Sequence, residues 1–226
     1  MRAEPALATP PDGGMWRVER TSSRLRFSSL NPVDALDDRA GNRFDIPGAG
    51  VLYGATTPQG AYAETLAAFR PRASMIAALS AMGAEPGRVA PGQVPASWPA
   101  SRRLRSFDVI GALPFVDVES PITHTYLTAH AASVLVHYGV ENLDVATVRG
   151  PGRLLTRAIA GWLYTRTDQH GQPQFAGIRY MSRLGDFECW AIFDGTQVWQ
   201  RSEQQPDPTS QQMREVLELF ALTVRA

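Results

Sequence analysis

The stretch NRFDIPGAGVLYGATTPQGAYAET, residues 42–65, runs from a polar loop through an apolar segment into a second, alanine-rich segment. The apolar run at residues 50–55 predicts a buried strand. Thr57 followed by Pro58 predicts the start of a helix, with the threonine as cap and the proline in the first helical position. Apolar side chains at helical spacing carry this helix to about residue 69.

The segments outside this stretch mix strand and helix patterns without a regular βαβ repeat. Predicted strands cover residues 15–19, 107–113, 115–118, 175–182, 187–193 and 198–200. Predicted helices cover residues 74–82, 123–138, 154–164 and 208–222. This mixture is typical of an α+β fold.

Composition along the chain predicts the domain organisation. Residues 1–13 are rich in proline, alanine and glycine, and they predict a flexible N-terminal tail. Residues 14–226 have the length of one domain. The proline- and glycine-rich region at 70–105 is expected to be an insertion within that domain, and the helix at about 208–222 closes the chain.

The overall composition excludes several classes of protein. The 22 basic and 22 acidic residues cancel, which argues against direct capture of nucleic acid. All of the basic residues are arginine, so lysine-dependent chemistry is excluded. No apolar run approaches the roughly 20 residues that a membrane helix needs, and the first residues lack a secretory pattern. The chain is therefore expected to be cytoplasmic, with no membrane partner.

Metal and thiol chemistry find little support in the sequence. Cys189 is the single cysteine and lies in an apolar run, which indicates a buried, unreactive thiol. His124, His130 and His137 are six and seven positions apart, whereas two ligands on one helix need a spacing of three or four. We therefore expect no metal site.

Widely separated residues match one family pattern. Asn42-Arg43-Phe44 precedes a strand with Leu52-Tyr53, the next helix carries Glu64, and Gly177-Ile178-x-Tyr180-x-Ser182 comes much later. In this pattern the chain resembles the RES family, named for an Arg, a Glu and a Ser. Arg43, Glu64 and Ser182 occupy those three places, and Tyr53 occupies the place of the family's strand tyrosine.

The resemblance covers roughly residues 15–195. Trp16-Arg17-Val18 is similar to the family's opening strand, and residues 156–163 are similar to the helix before the serine strand. Two positions depart from the pattern, because Asn42 and Phe44 stand where the family has Gly and Trp. These departures affect the turn and the aromatic side chain beside the motif arginine.

The resemblance implies an ADP-ribosyltransferase-like fold, with a mixed sheet core and flanking helices. It also implies NAD as the substrate, with no separate cofactor. Family members act as bacterial toxins paired with an antitoxin. Some of them degrade NAD by hydrolysis or phosphorolysis, and others transfer ADP-ribose to a protein. The sequence thus predicts a glycohydrolase or phosphorylase. The alternatives are a mono-ADP-ribosyltransferase that acts on a macromolecule and a catalytically silent binding module.

Each matched residue has a chemical role that NAD cleavage could use. The predicted catalytic residues are Glu64, Tyr53 and Arg43, and the predicted substrate-binding residues are Arg43, Tyr53, Ser182 and Arg17. Glu64 could stabilise positive charge that develops on the ribose. Arg43 suits a pyrophosphate, and Tyr53 could stack on nicotinamide or ribose.

The remaining candidates are one serine and three arginines. Ser182 could donate a hydrogen bond to a phosphate or a ribose of the substrate. Arg17, Arg179 and Arg183 are secondary candidates, and for each of them the sequence favours a structural role.

Overall fold

The computed structural model describes residues 4–82 and 92–225. Its helices and strands form a mixed sheet with helices packed against it, so the prediction of an α+β fold is confirmed. The described strands are β1 (Leu7–Ala8), β2 (Met15–Arg20), β3 (Ser28–Ser29), β4 (Gly50–Ala55), β5 (Gly92–Val94), β6 (Arg102–Ile110), β7 (Phe115–Asp117), β8 (Gly177–Met181), β9 (Glu188–Phe193), β10 (Gln197–Gln204) and β11 (Leu222–Val224). The described α-helices are α1 (Pro58–Leu66), α2 (Ala73–Ala81), α3 (Pro121–His130), α4 (Ala132–His137), α5 (Val145–Arg149), α6 (Arg153–Tyr164) and α7 (Gln211–Leu219).

The main sheet has the strand order β1-β7-β8-β9-β4-β2-β6-β10, and β3 pairs with β4. β7 and β8 run parallel, and the other named strand pairs of this sheet run antiparallel. β5 and β11 form a separate parallel pair. β4 follows the loop that carries Arg43. It is paired with β9, which is paired with β8, so these three strands are neighbours in the centre of the sheet.

Alternation along the central strands separates two hydrophobic clusters. In β9, Cys189 and Ala191 belong to the larger cluster, whereas Trp190 and Ile192 belong to the smaller one. Because successive side chains of a strand point to opposite faces, β9 is covered on both faces of the sheet. Tyr53 of β4 packs on the side of the larger cluster, to which Tyr62 of α1 also belongs. The predicted site thus lies on the sheet face that α1 covers.

The start of α1 follows the sequence prediction. The Thr57 hydroxyl accepts a hydrogen bond from the Gly60 amide at 3.2 Å, and Pro58 occupies the first turn. A Cβ at Gly60 would lie 2.9 Å from the Cβ of Ala55. Glycine at this position therefore lets α1 cross closely over β4, which brings the helix against the strand.

The N-terminal region differs from its prediction within the described residues. Residues 4–13 were expected to be a flexible tail, but Leu7 and Ala8 pair with Val116 and Phe115 of β7. The Ala6 amide also donates to the Thr123 hydroxyl at 3.1 Å. These long-range contacts order a segment whose own sequence has no strong strand pattern.

Two predicted helices depart clearly from their expected bounds. The helix expected at 123–138 begins earlier, at Pro121 with Ser120 as its cap, and divides into α3 and α4 where Ala131 leaves helical geometry. The helix expected at 208–222 spans only Gln211–Leu219, because β11 follows it. The short helix α5 was not predicted.

The expected insertion at 70–105 contains α2, β5 and the start of β6. Residues 83–91 of that region lie outside the described residues. No side chain of α2 is buried, whereas Val94 of β5 and the nearby Trp98 are. In the described part of the chain, no helix is long and apolar enough to cross a membrane.

Candidate active site

An open cleft of about 750 Å³ lies between the sheet and α1. Its walls come from β2, β4, β8, β9, α1 and the residues just after it, the start of α6, the loop before β4 and the turn after β8. Among the described residues that line it, five are arginines and one is a carboxylate. These charged residues are Arg17, Arg43, Arg70, Arg153, Arg183 and Glu64. This excess of positive charge favours an anionic ligand.

The structure brings the four motif residues together at this cleft. Arg43, Tyr53 and Glu64 line it directly. The Ser182 hydroxyl donates to Glu64 Oε1 at 2.6 Å, across 118 positions of sequence. Residues from a loop, two strand regions and a helix therefore meet at one place.

Ser182 lies behind the cleft wall, and this differs from the role expected for it. Its side chain is buried and does not line the cleft. The same hydroxyl that donates to Glu64 accepts a hydrogen bond from the Leu184 amide at 3.0 Å. With both partners supplied by the protein, Ser182 orients the Glu64 carboxylate through Oε1, and Oε2 has no hydrogen-bond partner among the described residues.

The Tyr53 hydroxyl is also engaged within the protein. It donates to Asp45 Oδ1 at 2.8 Å and accepts from the Phe44 amide at 3.1 Å. Burial raises the pKa of Tyr53 well above its usual value, and the Asp45 carboxylate acts in the same direction. The hydroxyl therefore ties β4 to the loop that carries Arg43, and only the ring of Tyr53 faces the cleft.

Replacing Tyr53 by phenylalanine is expected to destabilise the fold by about 1–3 kcal/mol. The change removes a donor from the buried Asp45 carboxylate and an acceptor from the Phe44 amide. Urea denaturation measures the free energy of unfolding. Tyr138→Phe is the matched control, since Tyr138 is also partly buried against the core and no hydrogen bond of its hydroxyl occurs within the described structure. Equal stability of Tyr53→Phe and the wild type would contradict this role.

Arg43 is held by α5 and α6 on one side and by aromatic rings on the other. Its Nη2 donates to the Val148 carbonyl, and its own carbonyl accepts from the Thr156 hydroxyl at 2.5 Å. Its Cζ lies 5.4 Å from the Phe44 ring centroid and 6.0 Å from that of Tyr180. Burial lowers the pKa of Arg43, and its buried Nε has no hydrogen-bond partner in the structure.

A second arginine fixes the loop that carries Arg43. Arg157 of α6 is almost fully buried, and its guanidinium donates to the carbonyls of Asn42, Asp37 and Ala40. Asp45 closes the turn from inside, because its carboxylate accepts from the Asn42 amide at 2.6 Å. Asn42, which departs from the family's glycine, is thus accommodated in a well-bonded turn.

Phe44, the second departure from the family pattern, is fully buried. Its ring centroid lies 4.7 Å from that of Tyr180 on β8. Tyr180 and the buried Cys189 form the floor of the cleft, and the Cys189 thiol lies 3.9 Å from Glu64 Oε1. Burial raises the pKa of Cys189, and the nearby Glu64 carboxylate adds to the effect. The thiol is therefore protonated, as the sequence indicated.

The secondary arginine candidates occupy different surroundings. Arg17 lines the cleft, but it donates to the Tyr53 carbonyl at 2.8 Å and to Glu19 at 3.1 Å. Arg179 lies outside the cleft and forms ion pairs with Asp117 and Glu188. Arg183 lines the cleft and makes no ion pair within the described part of the chain.

The described residues contain no group of three or more His, Cys, Asp or Glu side chains that could hold a metal ion. His124 is buried, and its Nε2 hydrogen-bonds the Val118 carbonyl at 2.8 Å. This histidine therefore connects α3 to the segment before it.

Two comparisons show what the chain is similar to. A family model described as the RES domain matches residues 15–212. Among solved structures, a chain of the "Crystal structure of the M.tuberculosis MbcT-MbcA toxin-antitoxin complex" is similar, with a TM-score of 0.47 and 15% identity. That match covers 92% of this chain and 88% of the other. No curated protein matches the sequence significantly.

Proposed function

The chain belongs to the RES domain family, and from this membership we propose that it cleaves the nicotinamide–ribose bond of NAD. The observation that carries the proposal is the Glu64 carboxylate, which accepts a hydrogen bond from Ser182 in a cleft whose other charged lining residues are arginines. A single carboxylate in such surroundings is unusual for a hydrolase, but it meets what this reaction requires.

The chemistry of NAD explains why one carboxylate is enough. The nicotinamide nitrogen is positively charged in NAD, and it takes the electron pair of the breaking C–N bond. The leaving group therefore departs as a neutral molecule and needs no proton from an acid. Positive charge develops on the ribose instead, and a fixed carboxylate stabilises it most strongly in the transition state. Glu64 supplies that carboxylate, with Oε2 available to the ribose.

The arginines of the cleft suit the other part of the substrate. NAD contains a pyrophosphate, and a guanidinium can bind phosphate oxygens through two parallel hydrogen bonds. Arg43 borders the cleft. The ring of Tyr53 supplies an apolar surface on which nicotinamide or ribose can stack.

The group that attacks the ribose after nicotinamide leaves distinguishes the possible reactions. Attack by water or phosphate on the ribose gives a glycohydrolase or a phosphorylase, and attack by a side chain gives a mono-ADP-ribosyltransferase. We favour the first form, in which the acceptor is a small molecule that the open cleft admits. In keeping with the family, we also propose that the protein acts as a toxin controlled by a cognate antitoxin.

Product analysis tests the proposal directly. Purified protein is incubated with NAD, with and without inorganic phosphate, and the products are identified by mass spectrometry. Nicotinamide with ADP-ribose indicates hydrolysis, and ADP-ribose 1″-phosphate indicates phosphorolysis. A labelled protein after addition of a cell extract indicates ADP-ribosyl transfer. Intact NAD with no labelled target would reject the proposal in favour of a silent binding module.

Replacing Ser182 by alanine is expected to lower kcat about tenfold or more, with little change in KM. The hydroxyl holds Glu64 by a charge-assisted hydrogen bond, and such bonds contribute about 1.5–3 kcal/mol. Steady-state kinetics with NAD measure the effect, and Ser133→Ala on the exposed side of α4 is the control. If Ser182→Ala instead raised KM with kcat intact, the serine would bind substrate directly.

A further inference from the structure

α2 is an apolar helix that the described part of the protein leaves uncovered. Its nine residues include no charged side chain and none that is buried. No described helix or strand packs extensively against it. Met75 and Ile76 are 48% and 39% exposed, and Met82, its C-terminal cap residue, is 82% exposed. Contiguous apolar surface of this kind marks a site of protein association.

The helix also lacks the local interactions that could hold it without a partner. Arg72 is its N-terminal cap residue, but the Arg72 side chain makes no capping hydrogen bond, and no acidic residue lies in the first turn. Arg70 and Arg72 instead place positive charge at the positive end of the helix dipole, which is unfavourable. A helix this short is marginal in water unless a buried face stabilises it. Packing on another surface would supply that stabilisation.

We propose that α2 pairs antiparallel with α2 of a second copy of this chain, across a two-fold axis between Ala78 and Leu79. Because α2 carries no charge, two copies can pack together without burying an ionised side chain. The antiparallel arrangement brings Arg72 of each copy to the negative end of the other helix, where a cation is favourable. A charge that is unfavourable within one copy thus becomes favourable between two copies, which selects a second copy as the partner.

A groove beside α2 fits one side chain of the second copy. It has a volume of about 530 Å³ and lies between α2 and the residues that follow α1. Its lining residues are Ala68, Phe69, Arg70, Arg72, Ser74 and Met75. In the proposed pair, Met82 of the second copy lies opposite Met75 and enters this groove, and its flexible thioether suits an irregular apolar space. The same contact recurs with the roles exchanged, as in any two-fold symmetric interface.

The position of the groove also relates the interface to the candidate active site. Arg70 lines both the groove and the cleft that contains Glu64. The second copy is therefore expected to lie beside the opening of the cleft, although the pairing does not depend on the proposed reaction. For this reason its tests use association and crosslinking and require no turnover.

Sedimentation equilibrium of the full-length protein tests the pairing. The wild type is expected to dimerise with a Kd in the micromolar range, because α2 is only about 14 Å long and offers less than the roughly 800 Å² per partner of a standard interface. Leu79→Glu and Met82→Glu should each weaken the dimer about a hundredfold or more, since each buries unpaired carboxylates. Leu36→Glu is the control, because Leu36 is 84% exposed in the loop before β4.

The same variants show whether the effect is limited to association. Neither Leu79 nor Met82 is buried within one copy. Leu79→Glu and Met82→Glu should therefore keep the circular dichroism spectrum of the wild type and unfold at the temperature of the wild-type monomer. A monomeric wild type at concentrations up to about 100 μM would overturn the proposal. A dimer that both variants leave intact would overturn it as well.

Arg72→Glu tests the charge argument separately. The change improves the charge at the start of its own helix, but it places a carboxylate at the negative end of the partner helix. The dimer should therefore weaken by about three- to thirtyfold, since the two-fold axis applies the change twice. An unchanged or tighter dimer in Arg72→Glu would contradict the antiparallel arrangement.

Disulfide crosslinking tests the register of the pair. The natural Cys189 is buried, so introduced thiols can be followed separately. A mixture of Met75→Cys and Met82→Cys proteins should form a crosslinked dimer on oxidation. Met75→Cys alone should not, because the two copies of residue 75 would lie about 10 Å apart along the helix axis, beyond the Cα separation of about 4.4–6.8 Å that a disulfide spans. Preferential crosslinking of Met75→Cys to itself would overturn the proposed pairing.

Discussion

Glu64→Gln is expected to lower kcat for NAD cleavage by about 10²–10³ while the affinity for NAD stays nearly constant. Glutamine keeps the size of the side chain and an oxygen that can accept from the Ser182 hydroxyl, but it has no negative charge. The lost interaction is one that becomes strong only when the ribose turns cationic. The effect therefore belongs in kcat, which steady-state kinetics and single-turnover measurements report.

Two controls make this result specific for the cleft. Glu141→Gln changes an exposed carboxylate elsewhere and should leave both kinetic constants unaltered. Thermal unfolding of Glu64→Gln should match the wild type, since the substitution creates no cavity. Turnover of NAD by Glu64→Gln at the wild-type rate would remove Glu64 from the mechanism.

Arg43→Ala is expected to weaken NAD binding by about ten- to a hundredfold, because charge-assisted hydrogen bonds to phosphate contribute about 1.5–3 kcal/mol. Arg43→Lys should restore only part of this loss, since an ammonium lacks the two-pronged geometry of a guanidinium. Titration calorimetry with NAD on a catalytically impaired Glu64→Gln background measures the affinity without turnover.

Arg43 also contributes to packing, so the free energy of unfolding of each Arg43 variant has to be measured together with its NAD affinity. Its side chain lies against Phe44 and Tyr180 and bonds the Val148 carbonyl. Some loss of stability is therefore expected in Arg43→Ala, and less in Arg43→Lys, whose stem retains part of the contact. NAD affinity that is equal in the wild type and in folded Arg43→Ala would assign this arginine to structure alone.

The sequence predicted those helices and strands whose limits are set by neighbouring residues. The cap at Thr57 and the proline after it located α1, and the apolar run of β4 located the strand before it. β1 and β11 were missed, because each is only two or three residues long and is ordered by pairing with a distant strand. The break at Ala131 was likewise invisible in a continuous helical pattern.

For the candidate site, the family pattern identified which residues would meet, and the contacts then revised their expected tasks. A pattern cannot show whether a hydroxyl faces a ligand or a neighbouring side chain, and those of Ser182 and Tyr53 face protein partners. Arg157 lies in the helix that matches the family pattern but was not singled out, since a buried arginine that binds backbone carbonyls looks like any other helical arginine in sequence. Its role depends on a loop more than a hundred positions away.

That separation in sequence has a consequence for synthesis of the protein on the ribosome. The ribosome delivers Arg43, Tyr53 and Glu64 early, but Arg157 lies 115 positions after the carbonyl of Asn42 that it binds, and Ser182 lies 118 after Glu64. A nascent chain that stops before α6 contains Arg43, Tyr53 and Glu64 without Arg157 and Ser182, which hold the Arg43 loop and the Glu64 carboxylate. Because these contacts join distant parts of the chain, they cannot form until α6 and the residue after β8 have been synthesised. The complete cleft is therefore expected only after β8 and β9 have left the exit tunnel.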